Sequence, residues 1–498
     1  MKILFWKHSN DYDKVYRWLI IAVPVVAAAL SLWIGLRQSV WFDEAYSIMV
    51  AKRSVSEIIR LSALDTHPPL YYLVLKIWAN VFGWSELALR SLSVVFYGAS
   101  IAVAGCFIKK HLNTRAAIYV LTMLLLAPLL MRYGFEIRMY AMASLIGVAA
   151  TAMLVRAHSS KRWTDWLIYG VLVALGMYTL YYLALLWLAH LAWLVAMDAG
   201  KLCLRKSSWK ECRWIGAYTF SLLLFLPWLS SFLKQVGNGA LAPIGQPMNL
   251  EQLIGIVSFN TIYQPLWQLS VITSILVLAI IFVSVRSIVI TFHVKKKNDI
   301  LWLLVSYISV PIILLMVISL YKPMYVERYL AHVAIGLVML VGASLALSTE
   351  RETSEVWRIA SPLVLLVILA VGATNLSQVG NYNFQRMQKP NVNSVASIVK
   401  CSENDVVLAA DPYVAIELDY YLPNCQIYFA SSDQHLGGGY APLDGSSRQV
   451  VDTKKTFTRA KNIYNVYYSD MKASLLGNYR EVETIDLSPL KITKFNAE

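Results

Sequence analysis

Long apolar runs recur along the first 378 residues, at 18–36, 88–108, 116–131, 139–155, 166–180, 182–197, 214–232, 271–290, 301–320, 329–347 and 359–376. Runs approaching roughly 20 apolar residues are read as helices that cross a bilayer. The chain is 58% hydrophobic and only 15% charged, where an average soluble chain is about 25% charged. An ordinary soluble enzyme is excluded. The pattern predicts a polytopic α-helical membrane protein with about 11 spans.

The charges orient those spans. The formal net charge is +14, yet from Gly380 onward 12 Lys and Arg face 13 Asp and Glu, so the first 379 residues carry +15. That charge lies in short connections between apolar runs, which marks cytoplasmic loops under the positive-inside rule and not a nucleic-acid surface. The run at 70–84 is shorter and contains Lys76. Counting it as a span would put Lys109, Lys110 and Arg115 outside, so it is read as a helix lying in the outer interface. The N-terminus is then inside and the C-terminus outside. The first apolar run lacks a small-residue cleavage site, which argues against a cleaved signal peptide.

Three segments fall outside. The first outer loop, 37–87, holds an expected helix at 42–64. A larger loop covers 234–270. The chain from 379 to 498 is polar enough for a soluble domain, against a membrane domain at 1–378. Short apolar runs at 406–410, 426–430 and 462–468 alternate with a helix-like piece at 414–421, as in a small α/β domain. Cys401 and Cys425 both lie there, where a disulfide and two core thiols are both open. Cys106, Cys203 and Cys212 fall near the inner side and are expected to be free.

Charged residues beside the outer ends of spans form three sets. Asp43-Glu44 follows the first run directly, with Asp65 and His67 further on; His67-Pro68-Pro69 cannot continue a helix. Arg132, Tyr133, Glu136, Arg138 and Tyr140 form a tight outer turn. Lys322, Glu327, Arg328 and Tyr329 form another. A carboxylate pair near lipid is costly without partners or work, although Asp43-Glu44 can also cap its helix. Likewise the Arg-bearing turns either pair locally and snorkel or serve a site.

Chemically, the carboxylates suit a general base for a hydroxyl. His67, Arg138, Lys322 and Arg328 suit a phosphate, the arginines through bidentate bonds. A phosphate at a membrane face is most naturally a lipid phosphate, and a sugar on a polyprenyl phosphate needs one base and several cations but no second acid.

These residues resemble the polyprenyl-phosphate-sugar-dependent glycosyltransferases of the GT-C fold, in the family of the protein O-mannosyltransferases and the lipid A aminoarabinose transferases. The motifs are Asp43-Glu44 after the first span, His67-Pro68-Pro69-Leu70-Tyr71-Tyr72, Gly83-Trp84-Ser85-Glu86 with Arg90, the Tyr133, Glu136, Arg138, Tyr140 turn, and Arg328-Tyr329-Leu330. They occur in the family's order over 18–347. The resemblance implies Asp43 as catalytic base, with Glu44 and Glu136 shaping the site. It makes Asp65, Tyr71, Arg90, Tyr133, Tyr140 and Tyr329 substrate-site candidates. His67 stands where the aminoarabinose branch has a lysine, which argues against that donor and against lipid A as acceptor.

The expected activity is inverting transfer of a sugar from a polyprenyl-phosphate carrier to an acceptor hydroxyl on a glycan, lipid or protein. Membrane lipid is the surrounding partner and nucleic acid is not one. The expected place is the plasma (inner) membrane, with the site and the C-terminal domain extracytoplasmic. A flippase or a polymerase of lipid-linked glycans is the alternative, but pumps usually carry charges at mid-membrane, where these spans have almost none. Asp43, Glu44, Asp65, Glu136 and His67 are candidate ligands for a divalent metal ion, although no spacing has metal-ligand specificity.

Overall fold

The computed structural model describes residues 9–203, 213–237, 249–264, 268–294, 298–379, 391–433, 435–436, 438–451, 457, 460–469, 471 and 479–497. Cys212, the run Lys295, Lys296, Lys297 and most of the basic stretch at 201–213 lie outside them. The chain divides into two compact units, one of residues 1–35 and 90–378, the other of 36–89 and 379–498. The first outer loop therefore groups with the C-terminal residues, where the sequence had placed it with the spans.

In the first unit, eight helices among the described residues are long and apolar enough to cross a membrane. They are Asp11–Gly35, Glu86–His111, Tyr140–Ser160, Arg213–Gly237, Val271–His293, Asp299–Ser319, Glu327–Thr349 and Glu355–Gln378. A ninth, expected at 116–131, is broken into Thr114–Leu125 and Pro128–Gly134 with a bend of 63°. Pro128 stands at the start of the second piece, and a proline disfavours helical geometry in the residue before it. The segments expected at 166–180 and 182–197 form helices, Trp163–Thr179 with 17 residues and the shorter apolar Leu183–Asp198. The second of these helices continues to Cys203, 21 residues in all. Among the described residues eight helices, or nine with the bent pair counted as one, pass both tests of length and apolar character.

The Glu327–Thr349 helix is the most enclosed, with 89% of its apolar window buried inside protein. Gly336 permits part of that packing, since a Cβ there would lie 2.4 Å from the Tyr307 ring. His190, buried in this unit, meets the Thr151 hydroxyl at 3.0 Å and the Tyr169 hydroxyl at 3.1 Å. Such pairing offsets the cost of burying an imidazole.

The second unit holds a six-stranded sheet in the order β3-β2-β1-β4-β6-β5. The strands are β1 Asp405–Ala409, β2 Gln426–Ala430, β3 Gln449–Val450, β4 Asn462–Tyr468, β5 Tyr479–Asp486 and β6 Leu490–Ala497. β1 runs parallel to β2 and β4, and β2 to β3, while β6 is antiparallel to both β4 and β5. β1 is buried at every position, as a central strand covered on both faces should be. On one face Val406, Leu408, Val450, Ile463 and Phe495 pack together. Between β1 and β2 runs the Pro412–Tyr421 helix, started by Asp411, whose side chain accepts from Val414 N–H at 2.8 Å, and by a proline at its first position. Cys401 and Cys425 are joined as a disulfide across 24 residues.

The first outer loop completes this unit. The helix expected at 42–64 is two helices, Phe42–Ala51 and Val55–Leu64. Ser54 ends the first by capping the second, accepting from Glu57 N–H at 3.3 Å, and an N-cap residue cannot also continue a helix. Phe42 stacks on Tyr413 with ring centres 4.3 Å apart. Val40 N–H donates to the Tyr421 hydroxyl at 2.7 Å, which in turn donates to Glu86 at 2.7 Å.

Candidate active site

Candidate residues lie in each of the two units. In the unit of 36–89 and 379–498, Asp43 and Glu44 begin the Phe42–Ala51 helix. Glu44 is buried, and its Oε2 accepts from Trp41 N–H at 3.3 Å, so it caps the helix. Asp43 is half-buried with its Oδ2 enclosed. Its carboxylate lies close to two phenols of the sheet region. Burial, then Glu417, Tyr468 and Asp43, hold the Tyr413 phenol well above its usual range. Burial, then Asp411 and Asp43, raise Tyr440. An anion beside a phenol disfavours the phenolate.

The turn at 65–69 forms a compact polar cluster in the same unit. Thr66 Oγ1 and His67 Nδ1 are 2.6 Å apart, and His67 Nδ1 lies 3.6 Å from Asp65 Oδ2. Tyr72 donates to the same Asp65 oxygen at 3.5 Å. Asp65, His67, Tyr71 and Tyr72 are all buried. The Leu70–Phe82 helix that follows ends at Gly83, with φ +94° and ψ 175°. That backbone region is essentially closed to residues with a Cβ.

In the unit of 1–35 and 90–378, the two Arg-bearing turns come together. Arg132 Nη2 donates to Glu136 Oε1 at 2.8 Å, with both side chains sealed from solvent. Arg132 also lies over the Phe135 ring at 4.9 Å. Arg138 is buried, and its N–H donates to the Glu136 carbonyl at 2.6 Å. Tyr133 and Tyr140 pack edge to face, with ring centres 5.1 Å apart. Tyr263 closes the cluster from the end of the Leu250–Thr261 helix. Burial raises its phenol, against the Arg132 guanidinium, while Glu136 and Glu327 push it further up. Glu327 of the second turn thus shares one electrostatic cluster with Arg132 and Glu136. On that turn Arg328 stacks over Tyr329 at 5.7 Å, Tyr329 packs on Tyr182 with ring centres 4.6 Å apart, and Lys322 is half-buried. An apolar groove of about 140 Å³ opens beside Tyr325 and Glu327, between Leu129, Ile256 and Ile312.

Comparison with known proteins bears on what such an arrangement does. The family model for dolichyl-phosphate-mannose-protein mannosyltransferase matches residues 66–230. ArnT from Cupriavidus metallidurans bound to undecaprenyl phosphate is similar at a TM-score of 0.61 and 13% identity, over 96% of this chain and 98% of that one. Its apo state is similar at 0.62 and 13%, over 97% and 98%. No curated protein matches the sequence at a significant level. The fold is shared with the two ArnT structures. Members of the ArnT-like and mannosyltransferase families transfer sugars from polyprenyl-phosphate carriers.

Within this fold the motif residues take distinct places. Glu86 receives the Tyr421 hydroxyl and acts as a tie inside its own unit. Arg90 is fully buried; its Nη1 donates to the Gly35 carbonyl and its guanidinium lies 5.9 Å from the Phe135 ring centre. That position supports the Arg132 turn from behind. Tyr71 and Tyr140 are likewise wholly buried. Two residues to which the sequence reading gave no individual role belong to the cluster. Arg132 was within sight as a member of the charged turn, on the last turn of the Pro128–Gly134 helix and four positions before Glu136. Tyr263 carried no signal, because it sits at φ 53° just after a helix end in a segment read only as loop. Among the described residues no group of three or more His, Cys, Asp or Glu side chains is placed to hold a metal ion.

Proposed function

We propose that this chain is a GT-C transferase that moves a sugar from a polyprenyl-phosphate carrier to an acceptor hydroxyl, with inversion, at the extracytoplasmic face of the plasma membrane. The observation that carries the reading is the cluster of buried Arg132, Glu136 and Tyr263 with half-buried Glu327, beside an apolar groove. A polyprenyl phosphate is an anion on a long apolar chain, and this unit offers guanidinium groups and an apolar channel together. Its likeness to ArnT, whose structure holds undecaprenyl phosphate, supports the same ligand class here.

In the reaction, the acceptor oxygen attacks the anomeric carbon as the bond from that carbon to the phosphate oxygen breaks. The carrier leaves as polyprenyl phosphate, already an anion at neutral pH, so no acid has to protonate it. Asp43 takes the hydroxyl proton. Glu44, committed to its helix cap, holds the backbone that carries Asp43. Arg138, Arg328 and Lys322 bind the donor phosphate, and His67 donates to it. Glu136 fixes Arg132 and is not itself a base, because its carboxylate is sealed and paired. A single in-line displacement of this kind inverts the anomeric centre.

The test is mass spectrometry of lipid extracts from cells with and without the gene. One polyprenyl-phosphate-linked sugar should accumulate when the gene is lost and return to its normal level on complementation. An unchanged pool of such lipids would remove the donor assignment.

A further inference from the structure

A second cavity, of about 390 Å³, lies wholly within the unit of 36–89 and 379–498. That volume falls in the range of small-molecule sites, about 300–1,000 Å³. Its wall includes Lys52, Arg53 and Arg448 against a single carboxylate, Asp419, with Tyr420 and Ser446 beside them. Asp419 grips Arg448 through two bonds, 2.6 Å and 2.9 Å, so the net positive charge of the wall comes from Arg53 and from Lys52, whose Nζ lies 5.8 Å from the Trp84 ring centre. The turn bearing them is fixed in place. Lys76 Nζ donates to the carbonyls of Ala51 at 3.4 Å and Arg53 at 2.8 Å. The ammonium thereby offsets the negative end of the Phe42–Ala51 helix, which would otherwise oppose an anion there.

The same helix links this cavity to Asp43. Ala45, Ile48 and Lys52 follow one face at helical spacing and all line the cavity. Asp43 stands in the first turn of that helix and Lys52 at its end, nine residues on, or about 14 Å along the axis. We propose that the cavity binds an acidic sugar of the acceptor, phosphate- or carboxylate-bearing, and holds a neighbouring sugar's hydroxyl toward Asp43. Arg53 and Lys52 pair with the acid group, while the Tyr420 ring and the Ser446 hydroxyl suit a sugar ring. This assignment rests on the reading of Asp43 as the base.

The full-length chain, in nanodiscs of phosphatidylcholine, is titrated calorimetrically with glucose 6-phosphate, glucuronic acid and glucose. One or both acids should bind and glucose should not. The double variant Lys52→Gln, Arg53→Gln alters two exposed side chains and should lose at least tenfold in affinity for the acid that binds. Equal binding of glucose, no binding of either acid, or an unaltered double variant would overturn the proposal. Abolition of sugar binding by added phosphatidylglycerol would overturn it too, by assigning the cavity to a lipid headgroup. Undecaprenyl phosphate affinity is measured on both proteins. Its absence in the wild type would count against the transferase donor and leave the cavity result standing, whereas equal affinity in both proteins isolates the cavity from donor binding.

Discussion

Arg132 donates through Nη2 to Glu136 Oε1 at 2.8 Å, four residues on, with about 4% and 1% of the two side chains exposed. A buried ion pair adds little net stability over an apolar pair of the same size, but losing one partner strands a charge. Glu136→Ala should therefore destabilise the unit by about 3–5 kcal/mol, read as a lowered midpoint of chemical unfolding in detergent. The double variant Arg132→Met, Glu136→Leu should lose less than Glu136→Ala alone. Additive losses would mean that the two side chains are not coupled.

Arg138 and Arg328 are assigned to the donor phosphate. A hydrogen bond to a charged group contributes about 1.5–3 kcal/mol, so each Ala substitution should weaken undecaprenyl phosphate binding by roughly 10- to 100-fold. Lysine should rescue only partly, since it keeps the charge and loses the planar fork. Titration of the reconstituted protein checks this, and unchanged affinity in both Ala variants would return the residues to local packing.

The C-terminal sheet should respond to acid through Asp405. Burial works against its charged form, but bonds from the Ser402 hydroxyl, the Ser402 N–H and the Asn462 amide outweigh burial and hold the carboxyl below its usual value. Those bonds measure 2.6, 2.9 and 2.6 Å. A depressed folded-state pKa gives stability that is present above the unfolded value, about 3.9, and is lost as pH falls through the folded one. Hydrogen exchange over residues 405–409 should accelerate below about pH 4 in the wild type. In Asp405→Asn that acceleration should be smaller; an identical pH response would mean that Asp405 is not the group responsible.

Legibility in the sequence followed side-chain chemistry closely. β2 and β4 were read at their observed bounds because QIYFA and NIYNVYY concentrate β-branched and aromatic residues. β5 was missed: REVETID presents charges at an exposed sheet edge, a pattern that also reads as loop. The break between the two helices of the first outer loop was visible in Ser54 and Glu57, the spacing of a capping box, but apolar periodicity continued across it. At the site, the motifs named Arg138 and not Arg132, and no local pattern could bring Tyr263 to either. The grouping of 36–89 with the C-terminal residues depends on long-range contacts such as Phe42 on Tyr413, which periodicity cannot report.

The account turns on Asp43, the half-buried carboxylate at the start of the Phe42–Ala51 helix. Asp43→Asn is almost isosteric, and Glu44 still caps the helix, so folding and donor binding should survive. The decisive measurement is single-turnover sugar transfer by the reconstituted protein with saturating polyprenyl-phosphate-linked donor. General base catalysis contributes about 10²–10⁴-fold, so Asp43→Asn should slow transfer by at least about 100-fold with undiminished donor affinity. Transfer at the wild-type rate would contradict the account and leave Asp43 without a chemical role.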